Sequence, residues 1–223
     1  EVTIGRKVLK LPAFVFSLSS HETQVSPKEG ASLLQYLEPG AALVSAYDAW
    51  KFYPRDNGFK TSISQIRGAG SVLFLDSGNY EAYRKGDRYA PRANPKGWHK
   101  DFFRDTALRV RPDLAFSFDT INPKGRPDEV ASRVVACFKE DDRALQGRDF
   151  ALCPIIHLPQ ELAGARASYA SRIVAGVARE LDPLMLAIPE RELGDGLLER
   201  ARTVRDIRRA LNELKRYYPL HLL

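Results

Sequence analysis

The sequence is poor in residues that make metal centres and disulfides. Its 223 residues include only two cysteines, Cys137 and Cys153, and four histidines, His21, His99, His157 and His221. The cysteines stand too far apart for a local zinc knuckle and are too few for a disulfide framework. They read as core residues of a helix and a strand. His21, His99 and His221 read as structural or surface residues, so no cofactor or metal is expected within this chain. No apolar run approaches the roughly 18 residues that a bilayer-spanning helix needs. The N-terminal stretch sets Lys7 and Lys10 beside a short apolar run, Leu11 to Phe16, with no cleavage site after it. A cytoplasmic protein with no membrane attachment is expected.

Low charge density is not among the deficits. Charged residues make up 28% and apolar residues 44%, enough to bury a core and to exclude disorder. Basic residues number 34 against 28 acidic ones, a formal net charge of +6. That balance is compatible with a polyanionic partner without requiring one. The excess concentrates in Leu197 to Arg216, where Arg200, Arg202, Arg205, Arg208, Arg209, Lys215 and Arg216 face only Glu199, Asp206 and Glu213. A solvated helix face is the first expectation for such a run. The chain starts at Glu1 and stops at Leu222-Leu223 in an apolar run, which suggests a piece of a longer polypeptide.

Short apolar, β-rich runs recur, starting near Phe14, Ala42, Val72, Leu114, Ala151, Met185 and Leu220. The steps between them are 28, 30, 42, 37, 34 and 35 residues, each the length of one βα unit. Runs this apolar read as parallel strands covered by helices on both faces. Helices are expected from the capping box Ser26-Pro27-Lys28-Glu29 toward Tyr36, then over 98–110, 129–145, 169–181 and 197–214. In the last, Leu197, Ala201, Val204, Ile207, Leu211 and Leu214 form an apolar stripe with the arginines outside it. An open doubly wound sheet would want a glycine-rich phosphate turn after its first strand, and Leu18-Ser19-Ser20-His21 is not one. The expected fold is therefore α/β: a (β/α)8 barrel of TIM type, with seven βα units over residues 1–223 as a single incomplete domain and the eighth missing.

In such barrels the chemistry lies at the carboxyl ends of the strands. The residues there are Tyr47-Asp48, Asp76 to Glu81, Asp119, His157 and Ile188-Pro189-Glu190. Asp76 and Asp119 follow apolar strands, where an unpaired carboxylate would be costly, so each is a candidate for a polar ligand; the plainer alternative is a helix N-cap. Gly78 lets the backbone approach a planar ligand and Tyr80 offers a stacking face. A carboxylate such as Asp119 can accept from the N–H edge of a nucleobase.

These residues carry a resemblance. Leu75-Asp76-Ser77-Gly78-Asn79-Tyr80-Glu81 resembles the Asp-Ser-Gly-Gly-Phe-Gln stretch of the tRNA-guanine transglycosylases (the queuine and archaeosine tRNA-ribosyltransferases). Phe116-Ser117-Phe118-Asp119-Thr120-Ile121-Asn122-Pro123 is similar to their Phe-Asp-x-x-x-Pro stretch. Leu186 to Glu190 falls at their Leu-Ala-Ile-Gly-Gly strand end, and Pro219 to Leu223 resembles the strand before a Gly-x-Gly turn. The four motifs, in order, cover about residues 10 to 223.

The resemblance implies a pentosyltransferase that replaces guanine by a 7-deazaguanine base in tRNA or DNA. It implies that Asp76 is catalytic, and that Ser77, Gly78, Asn79, Tyr80, Asp119, His157, Pro189, Glu190 and Leu223 bind the base. Asp119 would hold the amidine edge and Tyr80 would stack. The nucleophilic aspartate belongs to the eighth strand, beyond Leu223, and a structural zinc would belong to the same missing part. The implied partners are the nucleic acid and the 7-deazaguanine base, with a homodimer allowed and no membrane. Asn79, Tyr80 and Glu81 replace glycine, phenylalanine and glutamine of the family pattern, His157 replaces a glutamine, and Pro189-Glu190 replace a glycine pair. These departures fit a divergent branch, DNA-modifying members included, better than a standard tRNA enzyme. Two alternatives stand beside it: a non-catalytic nucleic-acid-binding or partner barrel of the same superfamily, and an unrelated barrel enzyme acting on a phosphorylated metabolite.

Overall fold

The computed structural model describes residues 1–20, 25–79, 98–159, 162 and 165–223. All seven expected strands are present, each starting within two residues of its expected position. They are β3 (Phe16–Leu18), β4 (Ala41–Ser45), β5 (Val72–Asp76), β6 (Leu114–Phe116), β7 (Ala151–Cys153), β8 (Leu186–Ile188) and β9 (Leu220–Leu222). An unexpected antiparallel hairpin, β1 (Val2–Ile4) and β2 (Lys7–Leu9), precedes them. The fold is mixed α/β with a central parallel five-stranded sheet in the order β3-β4-β5-β6-β7. The chain forms two compact units, residues 1–116 with 144–151, and residues 117–143 with 152–223.

In the first unit β4 pairs with β5 over five residues, Ala41↔Val72 to Ser45↔Asp76, and β5 pairs with β6 at Phe74↔Leu114. All five residues of β4 and the first four of β5 are buried, as expected of parallel strands with both faces covered. The hairpin is anchored at the amino ends of these strands. Lys7 Nζ donates to the Asp113 carboxylate at 2.8 Å and to the carbonyls of Arg67 and Ser71 at 2.9 and 2.6 Å. The opposite, carboxyl ends are left to Ser45 and Asp76.

The capping box predicted for α1 (Pro27–Leu37) forms in both directions, Glu29 N to Ser26 Oγ at 3.2 Å and Ser26 N to Glu29 Oε2 at 3.0 Å. Two helices were not expected, α2 (Ala46–Phe52) and α3 (Asn57–Gly68). Helix α2 leaves β4 with no turn residues between them. Asp56-Asn57-Gly58 looks like a turn, yet Asp56 Oδ1 caps α3 by accepting from Phe59 N at 3.0 Å. Helix α4 (Lys100–Val110) completes this unit. Phe14, expected to open a strand, lies outside β3 and is exposed.

The second unit holds α5 (Pro127–Ala144), α6 (Arg166–Glu180), a short 3-10 turn Glu190–Leu193 and α7 (Leu197–Glu213). Strands β8 and β9 pair in parallel, and Ile155 bridges to Ala187 in the same sense. Its core joins Val130 and Ala131 of α5, Ile173, Val174 and Val177 of α6, Leu186 and Ile188 of β8, and Ile207 and Leu211 of α7. A Cβ on Gly176 would stand 2.7 Å from that of Ala131, so only glycine allows this approach of α6 to α5.

The apolar stripe expected on α7 is shorter than its spacing suggests. Ile207 and Leu211 are buried and Val204 and Leu214 half-buried, whereas Leu197 and Ala201 are exposed because the helix enters from solvent. Among the arginines, Arg202, Arg205 and Arg209 are exposed. Arg208, expected to point outward, is partly buried and donates to the Tyr218 carbonyl at 2.6 Å. Among the described residues no helix is long and apolar enough to cross a membrane.

Candidate functional site

The residues singled out in the sequence fall into two groups, one in each unit. In the first unit Asp76 closes β5 and is half-buried, with Ser77, Gly78 and Asn79 buried behind it. The turn is held from behind by aromatic side chains. Trp98 Nε1 donates to the Ser77 carbonyl at 3.2 Å, and the Trp98 ring meets Tyr47 edge-on at 5.6 Å and Trp50 at 5.8 Å. Gly78 adopts φ +75°, and a Cβ there would lie 2.3 Å from Tyr47 N. The close backbone approach at Gly78 is made to the start of α2, not to a ligand. Tyr47 and Asp48 are themselves buried in α2, where Asp48 Oδ2 accepts from Ser20 N at 2.6 Å. Tyr80, the expected stacking residue, lies outside the described residues, as do Glu81 and His21.

In the second unit Asp119 and His157 come together, with a partner the sequence reading did not include. Asp119 follows β6, and the backbone leading to it is fixed by the buried Asp141 of α5, whose Oδ2 accepts from Phe118 N at 2.7 Å. The Asp119 carboxylate pairs with His157 Nε2. The other ring nitrogen, Nδ1, lies 2.8 Å from Glu192 Oε1. Glu192 is locked in turn, because its Oε2 accepts from Leu158 N at 2.7 Å and its carbonyl accepts from Arg166 at 2.7 Å. The side chains of Asp119 and His157 are only 5% and 10% exposed, so this charge cluster is screened little by water.

Burial of the His157 ring opposes its charge, but the Glu192 and Asp119 carboxylates outweigh that and hold the imidazole well above its ordinary range. Beside the cluster opens a cleft lined by Ser117, Phe118, Asp119, Pro123, Arg133 and His157, with Val134, Cys137 and Ile155 among its remaining walls. Its walls are apolar with a few convergent polar groups, and its free volume is about 20 Å³, room for about one water. Cys137, read as core, is half-buried in this wall; Cys153 is buried, and neither forms a disulfide. Among the described residues no three histidine, cysteine or acidic side chains are disposed to hold a metal ion.

The other candidates of this unit are placed differently. Glu190 N donates to the Leu223 carbonyl at 2.7 Å, and Leu223 N to the Ile188 carbonyl at 3.1 Å, so Pro189, Glu190 and Leu223 meet where β8 and β9 end. The Glu190 carboxylate pairs with Arg200, which also donates from Nε to the Gly194 carbonyl at 2.8 Å. The site residue that sequence reasoning missed is Glu192. The run Pro189-Glu190-Arg191-Glu192 after an apolar strand was a signal for it, but which of two glutamates turns inward is decided by the 3-10 turn. No protein-family model matches the chain, and no curated protein matches it.

Proposed function

We propose that the protein is a base-exchange glycosyltransferase of the transglycosylase type, replacing guanine by a 7-deazaguanine derivative in tRNA or DNA. The observation that carries the reading is Asp119: a carboxylate past the end of an apolar strand, buried, ion-paired and bordering a cleft. The parallel five-stranded sheet and the parallel pair of β8 with β9 support the reading of a (β/α)8 barrel with seven βα units. Two cysteines that form no disulfide suit a cytoplasmic setting.

In this reading an aspartate on a strand after Leu223 attacks the anomeric carbon. The bond from that carbon to guanine breaks, its electron pair leaves with the base, and the base takes up a proton. The incoming 7-deazaguanine then gives up a proton and displaces the carboxylate. The resemblance assigns the proton relay to Asp76 and acceptance from the amidine edge to Asp119, two roles that suit carboxylates in different surroundings. The test is incorporation of labelled guanine into tRNA and into duplex DNA by the polypeptide that includes the eighth strand. Incorporation that Asp119→Ala abolishes, with calorimetric loss of guanine binding, supports the reading; unchanged guanine affinity in Asp119→Ala refutes it.

One observation favours a second reading, a partner barrel that binds nucleic acid without chemistry: the Asp119 carboxylate is already engaged by His157. Retained nucleic-acid binding with no guanine incorporation would support that reading.

A further inference from the structure

A neutral imidazole has one N–H and one lone pair, and only the protonated ring donates from both nitrogens. His157 sets both nitrogens against carboxylate oxygens, Nδ1 against Glu192 Oε1 at 2.8 Å and Nε2 against Asp119 Oδ2. In either neutral tautomer one ring lone pair would face a carboxylate lone pair in a buried place, where repulsion is strong. With both carboxylates ionised, only the charged ring satisfies both contacts.

Resting on the reading of Asp119 as the residue that holds the base, we propose that His157 is a charged strap across neutral pH and that Glu192 is the positioning residue that keeps it so. Glu192 thereby fixes the Asp119 carboxylate as a pure acceptor toward the cleft. The ligand edge it selects is one that donates, such as the paired N–H groups of a guanine-type base, and an edge presenting lone pairs there is turned away.

The surroundings are consistent on every side. Asp119 reaches the ring from the segment after β6 and Glu192 from the 3-10 turn. Arg133 of α5 lines the same cleft. Arg166 of α6 holds the Glu192 carbonyl, and its Nε stands 3.7 Å from Glu199 of α7. Asp141 of α5 is committed to Phe118 N. Both acidic groups against the ring favour its proton, and they outweigh its burial.

The test is a pH titration of the ring nitrogens by 15N-resolved NMR. Four histidines make the spectrum tractable, and the His157→Gln variant identifies the His157 signals. In the wild type both nitrogens of His157 should carry protons at pH 7. In Glu192→Gln, whose amide oxygen still accepts from Leu158 N, the midpoint should fall by at least one pH unit, a tenfold loss of proton affinity. Glu192→Asp should recover part of the shift.

A neutral His157 in the wild type at pH 7 overturns the proposal, as does an unchanged midpoint in Glu192→Gln. The outcome separates from that of the base-exchange reading. A charged ring in a protein that fails to bind guanine upholds the strap and removes the function. Guanine binding with a neutral ring does the reverse.

Discussion

His157 and Glu192 lie 35 positions apart in the chain, yet Nδ1 of one stands 2.8 Å from Oε1 of the other. Strand β8 and the 3-10 turn after it bring them together, and the second glutamate oxygen is tied to the residue after the histidine, Leu158. The relationship gives His157 a charge that should be measurable in the stability of the whole protein.

The folded ring keeps its proton at pH values where the unfolded chain, with a pKa of about 6.5, has released it. The stabilisation is fully present below the unfolded value and is lost as pH rises through the folded one. Urea unfolding of wild type and His157→Gln between pH 6 and pH 8 should show the wild-type advantage shrinking, by at most about 1.4 kcal/mol per pH unit. A difference independent of pH would mean that the folded ring titrates as it does in the unfolded chain, and an advantage that grows with pH would mean that the folded ring is neutral.

His221, in β9, should behave with the opposite sign. Burial pushes its imidazole down to about 4, so the folded protein holds it neutral. Its contribution is present above the unfolded value, about 6.5, and is lost as pH falls toward the folded one. His221→Gln should flatten the decline in stability on that acid side, read from thermal midpoints between pH 6.5 and pH 4.5. An unaltered acid limb assigns the decline to other groups.

Gly78 and Gly70 both adopt positive φ, +75° and +93°, but only Gly78 has a neighbour in the path of a Cβ. Gly70→Ala should cost the backbone strain alone, about 1–2 kcal/mol. Gly78→Ala adds an overlap with Tyr47 N and should cost about 2–5 kcal/mol in all. Denaturant midpoints at constant slope decide it; equal losses would mean that the turn relaxes away from α2.

Asp76→Asn keeps the shape of the side chain and removes its charge. If Asp76 relays the proton, guanine exchange should fall more than tenfold, above about 1.4 kcal/mol in the barrier. Exchange at the wild-type rate would leave Asp76 a structural end to β5.

The arginines of α7 should prove a solvated face. Arg205 pairs with Asp206, Arg208 is turned to Tyr218 and Arg200 to Glu190, which leaves few cations to meet phosphates. Reversing Arg205 and Arg209 to glutamate together should leave the salt dependence of nucleic-acid affinity unaltered. Loss of two phosphate contacts would instead shift the slope of log K against log salt by about 1.8.

The strands were legible in the sequence because each is an apolar run bounded by turn residues, although only the inner ones, such as β4 and β5, are buried on both faces, while β3 and β9 keep exposed residues. So was α1, whose capping box closes within four residues. Local chemistry could not decide α2, which begins where β4 stops, or the exposure of Leu197, whose spacing fits the stripe while its position lies past the edge of the core. Asp119 and His157 stood out as polar residues at apolar strand ends, but nothing local joined them. Their union with Glu192 depends on how β8 and the 3-10 turn are placed. Glu190 and Glu192, two positions apart, differ in sequence context by little; the turn sends one to Arg200 and the other to His157. Periodicity and burial act along a few residues and can be read from them, whereas a charge cluster is assembled across the chain and exists only once the chain has folded.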